Sequence, residues 1–364
     1  MNFDLSETQE MFRSTTERFT QNLDVTARTK LRALESGYER TRWTELCELG
    51  LLAVAAKESQ GGLEGSITDL SVIAETLGNN NAPDPWLENG ILPVSLLSKA
   101  NHESILEELL NGSKIAALAF AEPNMRYELA PRHTVALPSQ DGEGYQLSGE
   151  KYLVMGGALA DYFLVTAVCQ DEFSLFCLAA DTPGIETFPY RLADGSIGTT
   201  LRFSSLHVPA TAWVNLSAQQ YLQSITEACL LCCSEMFGLS KLAFDETLQY
   251  VKERKQFDVP IGSFQSIQHG LVDCYSELEQ IRATLLRILL LSDESPERWR
   301  AEVMGAKSFI SDAANYIAER SVQYHGAMGI TDEVVIGHAL KRIIMLSRLF
   351  GDSSHNLKQY MECA

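Results

Sequence analysis

Long apolar runs are absent from these 364 residues, and no stretch approaches the roughly 18 consecutive apolar positions that a membrane-crossing helix needs. The N-terminus, MNFDLSETQE, has no basic leader ahead of an apolar run, so the expectation is a cytoplasmic protein that is neither secreted nor inserted in a membrane. Positive charge is also short. Lys and Arg number 29 against 48 Asp and Glu, a formal net charge of −19, which argues against nucleic acid or an anionic membrane as partner because polyanions need a basic surface. A small anionic substrate is still compatible where a local site supplies Arg, Lys or helix N-termini. Metal-ligand spacing is lacking too. Of the eight cysteines, Cys229, Cys232 and Cys233 form a CxxCC cluster, yet no His or second Cys pair lies at ligand spacing. They read as small buried apolar residues in a reducing compartment, and no metal is expected. Internal repeats and low-complexity segments are missing as well.

What is present divides into three rhythms. At this length two or three domains are expected. Residues 1–111 read as helices: Ser6 and Gln9 give a capping-box signal ahead of Met11, Phe12 and Phe19, WTELCELGLLAVAAKESQGG reads as a second helix ending at Gly61 and Gly62, and ITDLSVIAETLGNN as a third. Residues 112–212 read as strands. KIAALAFAE, HTVALP, YQLSGEKYLVMGG, YFLVTAV, FSLFCLAA, GIETFPY and LRFSSLHV are short, rich in aromatic or β-branched residues, and separated by turns such as Asp141-Gly142, which predicts an antiparallel barrel or sandwich. Residues 213–364 return to helix. Ile267, Leu271, Cys274, Leu278, Ile281, Leu285 and Ile288 alternate steps of four and three and paint one apolar stripe, as a helical bundle requires. Ser295 and Pro296 cap the next helix, Gly326 and Gly329 end it, and a last helix is expected over Glu333 to about Phe350. The fold class is therefore α+β: an N-terminal helical domain, a middle β domain and a C-terminal four-helix bundle.

Two segments carry the chemistry. In YVKERKQFDVPIGSFQSIQ (Tyr250 to Gln268) a helix runs into a charged tip, breaks at Pro260 and Gly262 and restarts, leaving an arginine beside a phenylalanine and two glutamines. Such a tip suits a phosphate and an aromatic ring. The second segment is QYHGAMGITDE, Gln323 to Glu333. Together, in this order, they resemble the acyl-CoA dehydrogenase family of flavoproteins, and the order helices, strands, bundle extends the resemblance over nearly the whole chain. EP-x-x-RY, KYLVMGG, CSEMFG and RLFGDSSHNL are most similar to the small-subunit type, such as the pimeloyl-CoA dehydrogenase small chain, which often works beside a larger homologous chain.

The resemblance implies FAD, lying between the β domain and the bundle, with its tail crossing to a neighbouring subunit. Arg254 would grip the pyrophosphate, Phe257 would pack on the adenosine end, and Gln265 or Gln268 would donate hydrogen bonds. Gln323, Gly326, Ala327 and Gly329 would form the other half of the tail site. Read without the family, Arg254 is a solvated helix-end charge, the glycines are a helix C-cap, and His325 is either a ligand contact or a satisfied turn histidine. Glu122 matches the Glu-Pro of the family's flavin-edge loop, and Leu153, Val154 and Met155 match its second flavin loop. Leu153 and Met155 stand where Trp and Thr are usual, so the polar contact to the flavin edge would come from backbone N–H groups of Val154 to Gly156. Ser353 and His355 fall where family members touch FAD.

The implied reaction oxidises an acyl-CoA to its 2,3-enoyl product, with electrons passed to an electron-transfer flavoprotein. It needs a carboxylate over the α-carbon. The family places a glutamate in the turn after the last helix or early in the first bundle helix, and here those places hold Phe350-Gly351-Asp352 and Ala228. Asp352 is the candidate base, with Glu227 and Glu235 as nearby carboxylates. A chain with no base of its own is the alternative: a cofactor-sharing subunit completed by a second acyl-CoA dehydrogenase-like chain. A flavin monooxygenase or nitroalkane oxidase on the same fold is a third reading. A homo- or hetero-oligomer follows from the shared FAD site. Arg126 and Arg202 are candidates for the CoA phosphates.

Overall fold

The computed structural model describes residues 4–139 and 142–363. They form two compact units, one of Met1–Lys30, Ile67–Ala82 and Cys229–Ala364 and the other of Leu31–Ser66 and Pro83–Ala228.

Helix α1 (Glu7–Thr20) opens on the expected capping box, in which Ser6 Oγ accepts the Gln9 N–H and Gln9 Oε1 accepts the Ser6 N–H. It is followed by α2 (Val25–Ala33), α3 (Arg40–Glu48), α4 (Ile67–Asn79), α5 (Leu92–Lys99) and α6 (Glu103–Leu110). The single helix expected from Trp43 to Gly62 does not form. After α3 ends, Gly50 takes φ +73°, and the chain continues as two short 3-10 turns at Ala53–Ala55 and Glu58–Gln60. The left-handed glycine breaks the helical ladder and lets Leu51, Leu52 and Val54 bury in an irregular segment.

The strands are β1 (Ala116–Ala119), β2 (Val135–Pro138), β3 (Gly144–Met155), β4 (Tyr162–Cys169), β5 (Glu172–Ala179), β6 (Ile185–Arg191), β7 (Ile197–Pro209) and β8 (Trp213–Val214). They make one sheet in the order β6-β7-β3-β2-β4-β5-β8, with β1 added to β4. Most neighbours are antiparallel, as expected, but β1 and β2 both run parallel to β4. That central position explains the near-continuous apolar run of β4, in which Phe163, Leu164, Val165 and Ala167 are all buried. β6, at the edge, carries Pro189 and is almost wholly exposed. β3 is irregular between Lys151 and Val154, where Leu153 adopts φ +53°. Of the turn expected at Asp141-Gly142, Gly142 has φ +74° and Asp141 lies outside the described residues.

The C-terminal part consists of α7 (Ala218–Glu253), a hairpin of β9 (Lys255–Gln256) and β10 (Val259–Pro260), α8 (Gln265–Leu290), α9 (Pro296–His325), α10 (Val335–Arg348) and α11 (Ser353–Cys363). On α8 six of the seven stripe positions are buried, and Ile267, nearest the tip, is half-buried. The helix expected from Glu333 to about Phe350 is α10, but it is not the last: Phe350 (φ +60°) and Gly351 (φ +118°) turn the chain into a further helix, α11. Within the first unit, α4 and α7 touch backbone to backbone. Gly78 lies against the Glu235 carbonyl and Gly238 against the Glu75 carbonyl, so that a Cβ on either glycine would overlap an oxygen. Ser71 and Ser234 share a buried hydroxyl hydrogen bond of 2.8 Å on these same two helices.

Candidate active site

At the α7–α8 tip, Phe257 (φ +52°) and Asp258 (φ +67°) form the two-residue loop between β9 and β10. Two consecutive non-glycine residues in the left-handed region cost roughly 1–2 kcal/mol each. The turn thrusts Phe257 outward, leaving it 87% exposed, with Phe264 edge-on at 6.4 Å. Arg254 accepts the Ile261 N–H through its carbonyl, while its exposed guanidinium has no partner among the described residues. Gln268 Nε2 donates to the Gly262 carbonyl (3.0 Å), which commits one of its two N–H groups within the tip; Gln265 is exposed.

At the end of α9, Gly326 (φ +61°) donates its N–H to the Gln323 and Val322 carbonyls and has open space where a Cβ would stand. Ala327 and Gln323 are exposed, whereas Gly329 is buried with its Cα 's missing side chain facing Val322. His325 is internal: its Nδ1 pairs with the Ser321 carbonyl at 2.9 Å and its ring stacks on Tyr250 at 4.2 Å. Its Nδ1 is thereby satisfied within the helix end.

In the β domain Glu122 is not an exposed edge group. Its Oε2 accepts the N–H groups of Arg132 (3.0 Å) and His133 (2.7 Å), its Oε1 that of Thr134 (3.0 Å), and the Lys151 ammonium sits 2.8 Å from Oε1. Burial pushes this carboxyl up, but Lys151 and the His133 and Arg132 N–H groups outweigh burial and hold it down at about 2. In the second loop, Leu153 donates its N–H to Tyr190 Oη (2.9 Å) and Gly156 donates to the Ile197 carbonyl (2.9 Å). The Gly156 N–H expected for a flavin contact is therefore already spent. Val154 and Met155 are buried.

The three candidate carboxylates are all engaged. Asp352 is the N-cap of α11: its Oδ1 accepts the His355 N–H at 2.8 Å and its carbonyl accepts that of Asn356 at 3.0 Å. Glu227 binds the Lys99 ammonium (2.7 Å), Ser95 Oγ (3.1 Å) and Gln223 Nε2 (3.2 Å). Glu235 is gripped by the Arg342 fork, Nε to Oε1 at 2.6 Å and Nη2 to Oε2 at 3.0 Å, with both residues 7% exposed. Gly351, in the Phe350–Asp352 turn where the resemblance would put a base, is walled in. A Cβ there would stand 2.8 Å from Asn356 Nδ2 and 2.8 Å from His355 Cδ2. Ser353 Oγ donates to Asp312 Oδ2 (2.7 Å), tying the turn to α9.

Lys151, Arg342 and Asn356 escaped the sequence reading. The only signal for Lys151 was a lysine inside an apolar strand run. The α7–α8 tip, with an uncommitted guanidinium and an outward aromatic ring, suits an anionic dinucleotide, and the end of α9 offers, at Gly326, backbone with open space beside it for a phosphate. Cys229, Cys232 and Cys233 are fully buried, and burial pushes the Cys229 thiol up to about 11 and the Cys233 thiol up to about 12. Among the described residues no helix is long and apolar enough to cross a membrane.

Family models described as acyl-CoA dehydrogenase N-terminal, middle and C-terminal domains match residues 6–110, 117–205 and 219–361. A probable acyl-CoA dehydrogenase, YngJ, of Bacillus subtilis is 25% identical over 359 residues, covering 94% of this chain and 93% of its own. Among solved structures, the ChsE4–ChsE5 complex of Mycobacterium tuberculosis superposes with a TM-score of 0.89 at 24% identity, covering 100% of this chain and 98% of the other. An acyl-CoA dehydrogenase complexed with FAD from Bacillus anthracis gives 0.88 at 23% identity, covering 99% of this chain and 69% of the other.

Proposed function

Since this chain belongs to the acyl-CoA dehydrogenase family, a family of FAD-dependent oxidoreductases, we propose that it is the flavin-binding subunit of a heteromeric acyl-CoA dehydrogenase whose catalytic base comes from a second, homologous chain. The observation that carries the proposal is the turn at Gly351. It has φ +118° and no room for a Cβ, and Asp352, Glu227 and Glu235 are each bound to other groups. The ChsE4–ChsE5 relative, by its description, is itself a complex of two different chains.

Arg254 would hold the pyrophosphate through its free guanidinium, with Phe257 against the adenosine and the Gln323–Gly329 segment receiving phosphate oxygens. Bound FAD would supply the hydride-accepting chemistry for oxidation of the acyl thioester, and an electron-transfer flavoprotein would take the electrons. Leu153 and Met155 would give the ring apolar cover and exclude water. No residue of this chain is assigned the α-proton.

The test is purification of the chain alone and with a second acyl-CoA dehydrogenase-like chain expressed from the same locus, followed by flavin bleaching with acyl-CoA. Bleaching only in the mixture, unaffected by Asp352→Asn, is the expected result. If the lone chain bleaches and Asp352→Asn abolishes this while flavin absorbance persists, Asp352 is the base and the chain is a complete enzyme. Oxygen consumption without any acyl-CoA would mark the oxidase or monooxygenase chemistry instead.

A further inference from the structure

We propose that Glu122 and Lys151 are positioning residues that lock the two loops bordering the flavin into a single rigid piece. The inference rests on the reading above that both loops border FAD. Its structural part stands on this chain alone.

The first loop runs from Glu122 to Thr134, between β1 and β2, and the Glu122 carboxylate closes it by accepting three consecutive N–H groups from its far end, those of Arg132, His133 and Thr134. It is thus an Ω-shaped loop with one side chain fastening both of its ends. The fourth donor to the same carboxylate is the ammonium of Lys151, on β3, two residues ahead of Leu153. Lys151 is wholly buried and its ammonium has three acceptors: Glu122 Oε1 at 2.8 Å, Thr166 Oγ1 on β4 at 3.0 Å and the Phe120 carbonyl at 3.1 Å. One ion pair therefore joins the end of β1, the start of β2, the middle of β3 and β4.

Each loop carries strained backbone that needs such support. Asn124 (φ +64°) and Arg126 (φ +51°) are left-handed in the first loop, and Leu153 (φ +53°) in the second. Residues in that region persist where the surroundings over-determine them. Tyr152 Oη, next to Leu153, donates to the Arg126 carbonyl at 3.3 Å, a second bridge between the loops. Burial drives Lys151 down to about 8 against the raising pull of Glu122, so the ammonium is held in place by its acceptors and not by solvent.

The test measures two things on apo protein, in the complex if the partner is required: hydrogen exchange of the amides of residues 132–134, and FAD affinity by quenching of flavin fluorescence. Glu122→Gln and Lys151→Met are each expected to speed exchange at 132–134 and to weaken FAD binding about tenfold, the scale of a lost buried charge-assisted hydrogen bond. The double variant is expected to be no weaker than either single one, because the two residues act as one unit. Thr166→Val, which removes one acceptor and keeps both charges, moves both readouts the same way by about threefold, and serves if the charge variants do not fold. Asp245→Asn, in an exposed α7 pair with Lys241, should change neither. Faster exchange with unaltered FAD affinity, or additive losses in the double variant, would overturn the proposal. Failure of the wild-type protein to bind FAD would instead remove the functional reading, with the exchange data still reporting whether the lock exists.

Discussion

Introducing a side chain at position 351 tests the central claim most directly. Gly351 has φ +118°, a region costing an L-residue about 1–3 kcal/mol. The new Cβ would stand 2.8 Å from both Asn356 Nδ2 and His355 Cδ2. Asn356 cannot retreat freely, because its Nδ2 donates to the carbonyls of Gly351 (2.8 Å) and Asp352 (3.1 Å) and the residue is fully buried. Forced repacking of that kind adds about 1–3 kcal/mol. Gly351→Ala should therefore destabilise by about 2–6 kcal/mol, a fall in melting temperature of about 4 °C or more, and Gly351→Glu by at least as much. Scanning calorimetry reads the first effect, and flavin bleaching by acyl-CoA reads the second: the glutamate, although set in the turn where the resemblance would put a base, should confer no turnover on the lone chain. A Gly351→Glu protein that melts like wild type and bleaches with acyl-CoA by itself would refute the reasoning.

Other outcomes follow from the same structure. Arg342→Met should destabilise by about 3–5 kcal/mol by stranding the buried Glu235 carboxylate, and Glu235→Leu combined with it should recover most of the loss in urea titrations. Glu122, held at about 2 against an ordinary 4.5, contributes stability that is complete above pH 4.5 and lost as pH falls toward 2; the acid-unfolding curve of Glu122→Gln should be flatter through that window. Arg254→Gln should weaken FAD binding by about tenfold or more, since a charge-assisted hydrogen bond is worth about 1.5–3 kcal/mol, with little change in apo melting temperature because the guanidinium is exposed. Among the described thiols, exposed Cys363 should react with iodoacetamide in native protein at pH 8 well ahead of buried Cys229, Cys232 and Cys233, as peptide mass mapping would reveal.

The elements legible in the sequence were those whose signal is local. The α8 stripe, the Ser6–Gln9 cap and the aromatic strand runs each state their own structure within a few residues. What failed to read was decided by partners far along the chain or by one backbone angle. Gly50 ended a helix that the apolar pattern would have continued. α11 was missed because SSHNLKQYMEC leaves Leu357 and Met361 exposed and shows no stripe, and with the helix unseen the role of Asp352 as its N-cap was not legible. Glu122 finds Lys151 across 29 positions, and Glu235 finds Arg342 across 107, through pairings that no periodicity announces.

The glycine contact between α4 and α7 works like a dovetail joint. Gly78 and Gly238 each occupy a notch that only a hydrogen atom fits, so the two helices can neither slide nor separate without opening a gap along Ser71 and Ser234. Residues 67–82 are thereby a missing tooth of the C-terminal helices, supplied from near the start of the chain. Expressing residues 229–364 by themselves would leave that notch empty, and the fragment should need the α4 segment added back in trans before it folds.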